Sequence, residues 1–185
     1  TGGSIECPSA FCGVYGFCPT YGLVSRYGLI SYADSLDKIG IIAKYIEDIK
    51  PVLKIIAGHD EKDNTSLSQQ VKTKEVECLK VGIVTQALEI VNEEIRKAVE
   101  GCIKKIEKHA EIVEVSLQKA MKYGVATYYI IATAEASTNL ARYCGLRFGR
   151  NEKIESKHFR EYFAEIRGKY FSEEEKRRIL LGTFV

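Results

Sequence analysis

Apolar positions change their spacing several times along the chain, and those changes mark out its elements. Through the first forty residues, Gly13, Gly16, Gly22 and Gly28 punctuate short apolar runs such as VYGF and YGLI. This pattern predicts short strands and tight turns, because glycine supplies the positive φ that turns demand. From Ser35 to Ala57 the period lengthens. Ile39, Ile42, Ala43, Ile46, Ile49, Leu53 and Ile56 recur three or four apart, which predicts helix, with Pro51 requiring a start, break or kink nearby. Asp60 to Gln70, DEKDNTSLSQQ, is polar and reads as an exposed connection.

The middle of the chain is the most legible. LKVGIV, Leu79 to Val84, predicts a buried-type strand; Asn92 is placed to cap a helix striped by Ile95, Val99, Cys102 and Ile106; and IVEVSL, Ile112 to Leu117, predicts a second strand. Strand, amphipathic helix, strand is a βαβ unit, with parallel strands and a right-handed crossover. An apolar helix through TYYIIATAEASTNLARY and a charged one through KHFREYFAEIRGKYFSEEEKRRILLGTF follow. The fold class is α/β, a mixed sheet flanked by helices, with no internal repeat or low-complexity tract.

At 185 residues the chain is long enough for one domain, which at this size buries roughly 70% of the surface its unfolded form exposes. A net charge of +2 is too small a field to favour nucleic acid. No apolar run approaches the roughly 20 residues that span a bilayer, and no signal-peptide pattern opens the chain. A soluble, cytoplasmic protein is therefore expected. Cys7, Cys12, Cys18, Cys78, Cys102 and Cys144 form no C-x-x-C pair, so they read as reduced thiols acting mostly as small buried hydrophobes. Cys7, Cys12 and Cys18 are the one cluster in which a metal would be sought. His59, His109 and His158 are scattered among charged or loop residues and have no partner for triad chemistry.

Candidate chemistry centres on Thr1, Gly2, Gly3 and Ser4. A serine hydroxyl becomes nucleophilic when a base takes its proton, and backbone N–H groups aimed at the developing oxyanion contribute as much again. Two glycines beside a serine let the backbone approach a substrate closely. A G-G-S triplet by itself also suits a flexible loop.

TGGSIECPSAFCGVYGFCPTYGLVSRYGLISYADSLDKIG resembles the amidase signature family, in which T-G-G-S carries the acylated serine. Within that family, PTYGLVSRYGLI, IAGHDEKDNTS, TYYIIATAEASTNLARY and KRRILLGTF are similar to the A subunits of glutamyl-tRNA(Gln) amidotransferases, and the resemblance runs from Thr1 to Val185. It implies a glutaminase. Ser4 matches the nucleophile that forms a glutamyl ester, activated by a serine on a cis peptide bond and a neutral lysine. Thr1, Gly2 and Gly3 match the oxyanion loop. Tyr128 and Arg178 match positions that hold glutamine, the arginine pairing with its α-carboxylate. From the residues alone, Arg178 reads as a solvated arginine paired to Glu174, Tyr128 as a core aromatic, and Glu135 with Asn139 as local hydrogen bonding along one helix face.

The same resemblance implies no cofactor in this chain, B and C subunits as partners, and tRNA reached through the B subunit, where ATP and magnesium activate the glutamate. The family's lysine and cis-peptide serine lie upstream of T-G-G-S, and a carboxylate of the glutamine pocket lies beyond Val185. The chain is therefore expected to be a single partial domain, truncated at both ends, without glutaminase activity of its own and folding poorly by itself. Where the family has arginine, lysine, aspartate and proline, this chain has Glu6, Cys18, Cys144 and Ile41. Glu6 near the lysine base would weaken it as a proton acceptor. A general amidase and a catalytically inactive subunit-interaction protein are the alternative readings.

Overall fold

The computed structural model describes residues 1–68, 79–153, 155 and 158–185. They fall into two units, Thr1–Val71 with Tyr128–Val185, and Lys72–Thr127.

In the first unit, α1 (Glu6–Cys12) follows the T-G-G-S turn and ends at Gly13, whose φ of 63° closes it in the left-handed conformation. Glycine punctuation alone did not predict this helix. It forms where Ser9, buried, donates to the Ile5 carbonyl at 2.6 Å, and it is covered by Gly16, where a Cβ would lie 2.5 Å from the Ser9 hydroxyl. Gly16 belongs to β1 (Tyr15–Phe17), which pairs antiparallel with β2 (Ile41–Ala43). The helical period read from Ser35 to Ala57 therefore overreaches. Gly40 packs so closely that a Cβ would lie 2.7 Å from the Phe17 carbonyl oxygen, and pairing with β1 draws Ile41 to Ala43 into a strand. A 3-10 turn, Ile46–Asp48, leads into α2 (Ile49–Ile56). Pro51 sits in the first turn of α2, where its missing N–H removes no helical bond.

The polar connection after α2 is not simply exposed. Asp63 is buried and accepts from the Thr65 hydroxyl at 2.7 Å, the Thr65 amide at 2.9 Å and the Arg26 amide at 2.8 Å. The hydroxyl bond first, then the two amides, hold its carboxyl down at about 2. The Leu67 amide adds a bond to the Gly22 carbonyl at 2.7 Å, strapping residues 60–67 onto the segment of Gly22 to Arg26. Gln69 and Gln70, the end of the expected connection, lie outside the described residues.

The second unit carries β3 (Lys80–Val84), α3 (Thr85–Glu89), α4 (Glu93–Ile106) and β4 (Glu111–Val115). β3 and β4 are parallel, with Val81 opposite Ile112 and Val84 opposite Val115, as the βαβ pattern predicts. Asn92 caps α4 by accepting from the Ile95 amide at 2.9 Å. The predicted stripe is only partly covered, Ile95 being 49% and Val99 37% exposed, because two strands present a face too narrow to bury a four-turn helix. Among the described residues the strands form two separate two-stranded sheets, one antiparallel and one parallel, flanked by helices in an α/β chain.

α5 (Gln118–Leu140) enters the first unit at Tyr128. The predicted charged helix is two, α6 (Phe159–Tyr170) and α7 (Glu173–Thr183). The break falls at Ser172, whose amide donates to Glu175 at 2.7 Å in a capping box. Ala132 and Ala136 of α5 are fully buried, and α7 comes so close that a Cβ on Gly182 would collide with the Thr133 carbonyl oxygen. Every buried apolar side chain among the described residues, from Val24 to Ile166, belongs to this first unit.

The thiols correct another expectation. Cys7, Cys12 and Cys102 are exposed and Cys18 and Cys144 half-buried, so none of the described cysteines is a core residue; Cys78 lies outside the described residues. No described helix is long and apolar enough to cross a membrane.

Candidate active site

Thr1 to Ser4 form a tight turn built on two positive dihedrals, φ 59° at Gly2 and 89° at Gly3, which side chains with a Cβ adopt only at a cost. The turn consumes its carbonyls. Thr1 O accepts from the Ser4 amide at 3.2 Å and the Ser4 hydroxyl at 3.0 Å, and Gly3 O accepts from the Cys7 amide at 2.9 Å. Among the described residues, the amides of Gly2 and Gly3 donate to no protein acceptor. The result is an exposed hydroxyl beside two uncommitted N–H groups, which is the donor arrangement an oxyanion needs. No base among the described residues touches Ser4: its hydroxyl bonds a carbonyl, which cannot take the proton.

The other two predicted residues converge on this turn. Tyr128 of α5 lies against Gly2, where a Cβ would meet the tyrosine hydroxyl at 2.6 Å. Burial pushes that hydroxyl up from its ordinary range, Tyr32 adds to the effect, and Arg178 opposes it. Arg178 of α7 bonds Glu174 through Nε at 2.6 Å, as its local spacing predicts, and its guanidinium also stands 5.3 Å from the centroid of the Tyr32 ring. Glu174 is shared with Arg177, which donates through two nitrogens at 2.8 Å. The two arginines, Arg177 first, hold Glu174 down at about 2.

Tyr32 and Asp37 were not found from sequence. They belong to the turn SYADSLD, Ser31 to Asp37, which the density of turn formers marks as a loop but nothing marks as a site. Asp37 is 4% exposed. Its Oδ2 accepts from the amides of Tyr32 at 2.8 Å and Ala33 at 3.0 Å, and its Oδ1 accepts from the Thr1 hydroxyl. α5 grips the same turn from the other side. Asn139 donates to the Tyr32 carbonyl at 3.2 Å, and Glu135 accepts from the Ser35 amide at 2.9 Å and from its hydroxyl. Local bonding was the expectation for Glu135 and Asn139. Their partners are instead 100 and 107 residues away in sequence, and tertiary contact dominates because the backbone groups of a buried turn require partners.

Two departures from the family pattern meet each other. The Glu6 carboxyl is held below its ordinary range, first by its own backbone amide and then by the Cys18 thiol, with Lys38 adding an attractive charge. Glu6 thus has neighbours of its own within this chain. Cys7, Cys12 and Cys18 assemble no metal centre: among the described residues no group of three or more His, Cys, Asp or Glu side chains converges.

This constellation sits on a fold with known relatives. The amidase family profile matches residues 1–185, and the chain belongs to that family. It is 47% identical to the A subunit of the glutamyl-tRNA(Gln) amidotransferase of Campylobacter concisus, over the whole of this chain and 42% of the relative. It is also 47% identical to the protein of that name from Archaeoglobus fulgidus, of which it spans 40%. The crystal structure of the A subunit of the Thermotoga maritima glutamyl-tRNA(Gln) amidotransferase superposes with a TM-score of 0.68 at 35% identity, covering all of this chain and 36% of that one. A crystal structure described as that of an amidase, at 24% identity and a TM-score of 0.71, shares the fold. The chain thus spans about two-fifths of the length of the curated relatives it matches.

Proposed function

We propose that the protein carrying this chain is the glutamine amidohydrolase component of a tRNA-dependent amidotransferase, working in the cytoplasm. The observation that carries the reading is the convergence, from segments far apart in sequence, of Ser4, the Gly2 and Gly3 amides, Tyr128 and Arg178. Ser4 attacks the glutamine side-chain amide, the carbonyl oxygen moves onto the Gly2 and Gly3 donors as it gains charge, and ammonia leaves a glutamyl ester that water hydrolyses. Arg178, planar and permanently charged, suits bidentate recognition of the glutamine α-carboxylate, and Tyr128 bounds the space between that clamp and the turn. A lysine and a cis-peptide serine from elsewhere in the protein complete the proton path, so the present 185 residues are inactive alone.

The names of the relatives support the wider assembly. Ammonia passes to a B subunit that uses ATP and magnesium to activate glutamate on tRNA(Gln), with a C subunit completing the complex. Arg178 also favours this reading over a general amidase, which has no α-carboxylate to bind. The test is ammonia release by the complete complex. Arg178→Ala should raise KM for glutamine about 100-fold or more, the scale of a lost charge-assisted pair, and should leave KM for a simple aliphatic amide unchanged. Equal effects on both substrates would sink the clamp, and glutamine turnover surviving Ser4→Ala would sink the whole proposal.

A further inference from the structure

We infer that Asp37 is a positioning residue for acyl transfer, fixing the Thr1–Ser4 turn against the Tyr32 turn on which Arg178 rests. The inference builds on the glutaminase reading above. Three observations carry it. Asp37 is one of the few buried charged side chains among the described residues, at 4% exposure. Its two oxygens serve two different segments: Oδ2 closes the Tyr32 turn through two amides, while Oδ1 takes the hydroxyl of Thr1. The Tyr32 ring in turn lies under the Arg178 guanidinium. One carboxylate therefore sets the spacing between the oxyanion donors and the group that holds the far end of the substrate.

A nucleophile has to be held to within a fraction of an ångström of the carbonyl it attacks, and an error near 1 Å costs on the order of 100-fold in rate. Asp37 touches neither the substrate nor the Ser4 oxygen, so it acts through Thr1. The predicted signature is a fall in kcat with KM for glutamine little changed, since Arg178 and Tyr128 remain in place.

The experiment is a double-mutant cycle in the complete amidotransferase complex. Thr1→Val removes the hydroxyl and leaves the buried carboxylate bonded to its turn; Asp37→Asn keeps an acceptor for the Tyr32 and Ala33 amides. Each should lower kcat about 30-fold with KM within about two-fold, and the double variant should be no slower than the slower single one, as for two ends of one link. Unchanged kcat in Asp37→Asn, or losses that multiply in the double variant, would overturn the inference. If Asp37→Asn fails to fold, Thr1→Val decides: a normal melting temperature with reduced kcat supports the link, and wild-type kcat rejects it. Ser4→Ala separates the two proposals. A dead Ser4→Ala beside an unaffected Asp37→Asn rejects the positioning role alone, whereas an active Ser4→Ala rejects the acyl-serine chemistry on which it rests.

Discussion

The two units of this chain differ in where their information lies. Lys72–Thr127 is a βαβ unit whose strands, capped helix and parallel pairing follow from spacing within a stretch of some forty residues. It contains no candidate site residue and, among the described residues, no buried apolar side chain. The first unit is the reverse. Its local patterns mislead at α1 and β2, yet it holds the buried core and every residue of the candidate site. The difference teaches that regular periodicity reports elements, while a site is made by bonds between segments that periodicity cannot see.

The largest effect should come from Gly2→Ala. The substitution puts a side chain at φ 59° and its Cβ 2.6 Å from the Tyr128 hydroxyl; displacing one oxyanion donor should cut kcat for glutamine by 100-fold or more, on the order of known losses, with the melting temperature nearly unchanged. Next is Gly182→Ala, whose methyl would collide with the Thr133 carbonyl oxygen. Forcing α7 away from α5 should destabilise the protein by about 3 kcal/mol, the upper range for overpacking, and raise KM because Arg178 travels with α7. In the second unit, Asn92→Ala should cost only about 1 kcal/mol, a typical lost cap, and leave kcat and KM alone. Any shift in glutamine kinetics there would break the contrast between the units.

The smallest effect appears only in acid. Asp63 titrates at about 2 in the fold against an ordinary 3.8, so its stabilising contribution is complete above 3.8 and disappears as pH falls through about 2. Asp63→Asn should narrow its stability gap to the parent protein across that window, followed by thermal melts at stepped pH. A gap that stays constant from neutral pH down to about 2 would show that the carboxylate is not what holds residues 60–67.

Much of the fold was legible because burial imposes a period on strands and helices. The strand of Leu79 to Val84, the Asn92 cap and the helix through TYYIIATAEASTNLARY follow from that rule alone. β2 did not, because Gly40 seats its strand on Phe17, a contact invisible to a window of neighbouring residues. Ser4, Tyr128 and Arg178 were singled out by family resemblance, since in isolation they read as loop, core aromatic and surface ion pair. Tyr32 and Asp37 escaped both routes. A buried carboxylate that bonds backbone amides a few residues earlier leaves no periodic trace, and its link to Thr1 spans 36 positions.

The most direct test of the central claim is to quench the full-length protein during glutamine turnover in acid and map covalent adducts by peptide mass spectrometry. A glutamyl adduct on the peptide bearing Ser4, formed at a rate no slower than ammonia release and missing from Ser4→Ala, is the predicted result. Ammonia released at full rate with no adduct at Ser4, or with the adduct on another side chain, would contradict it.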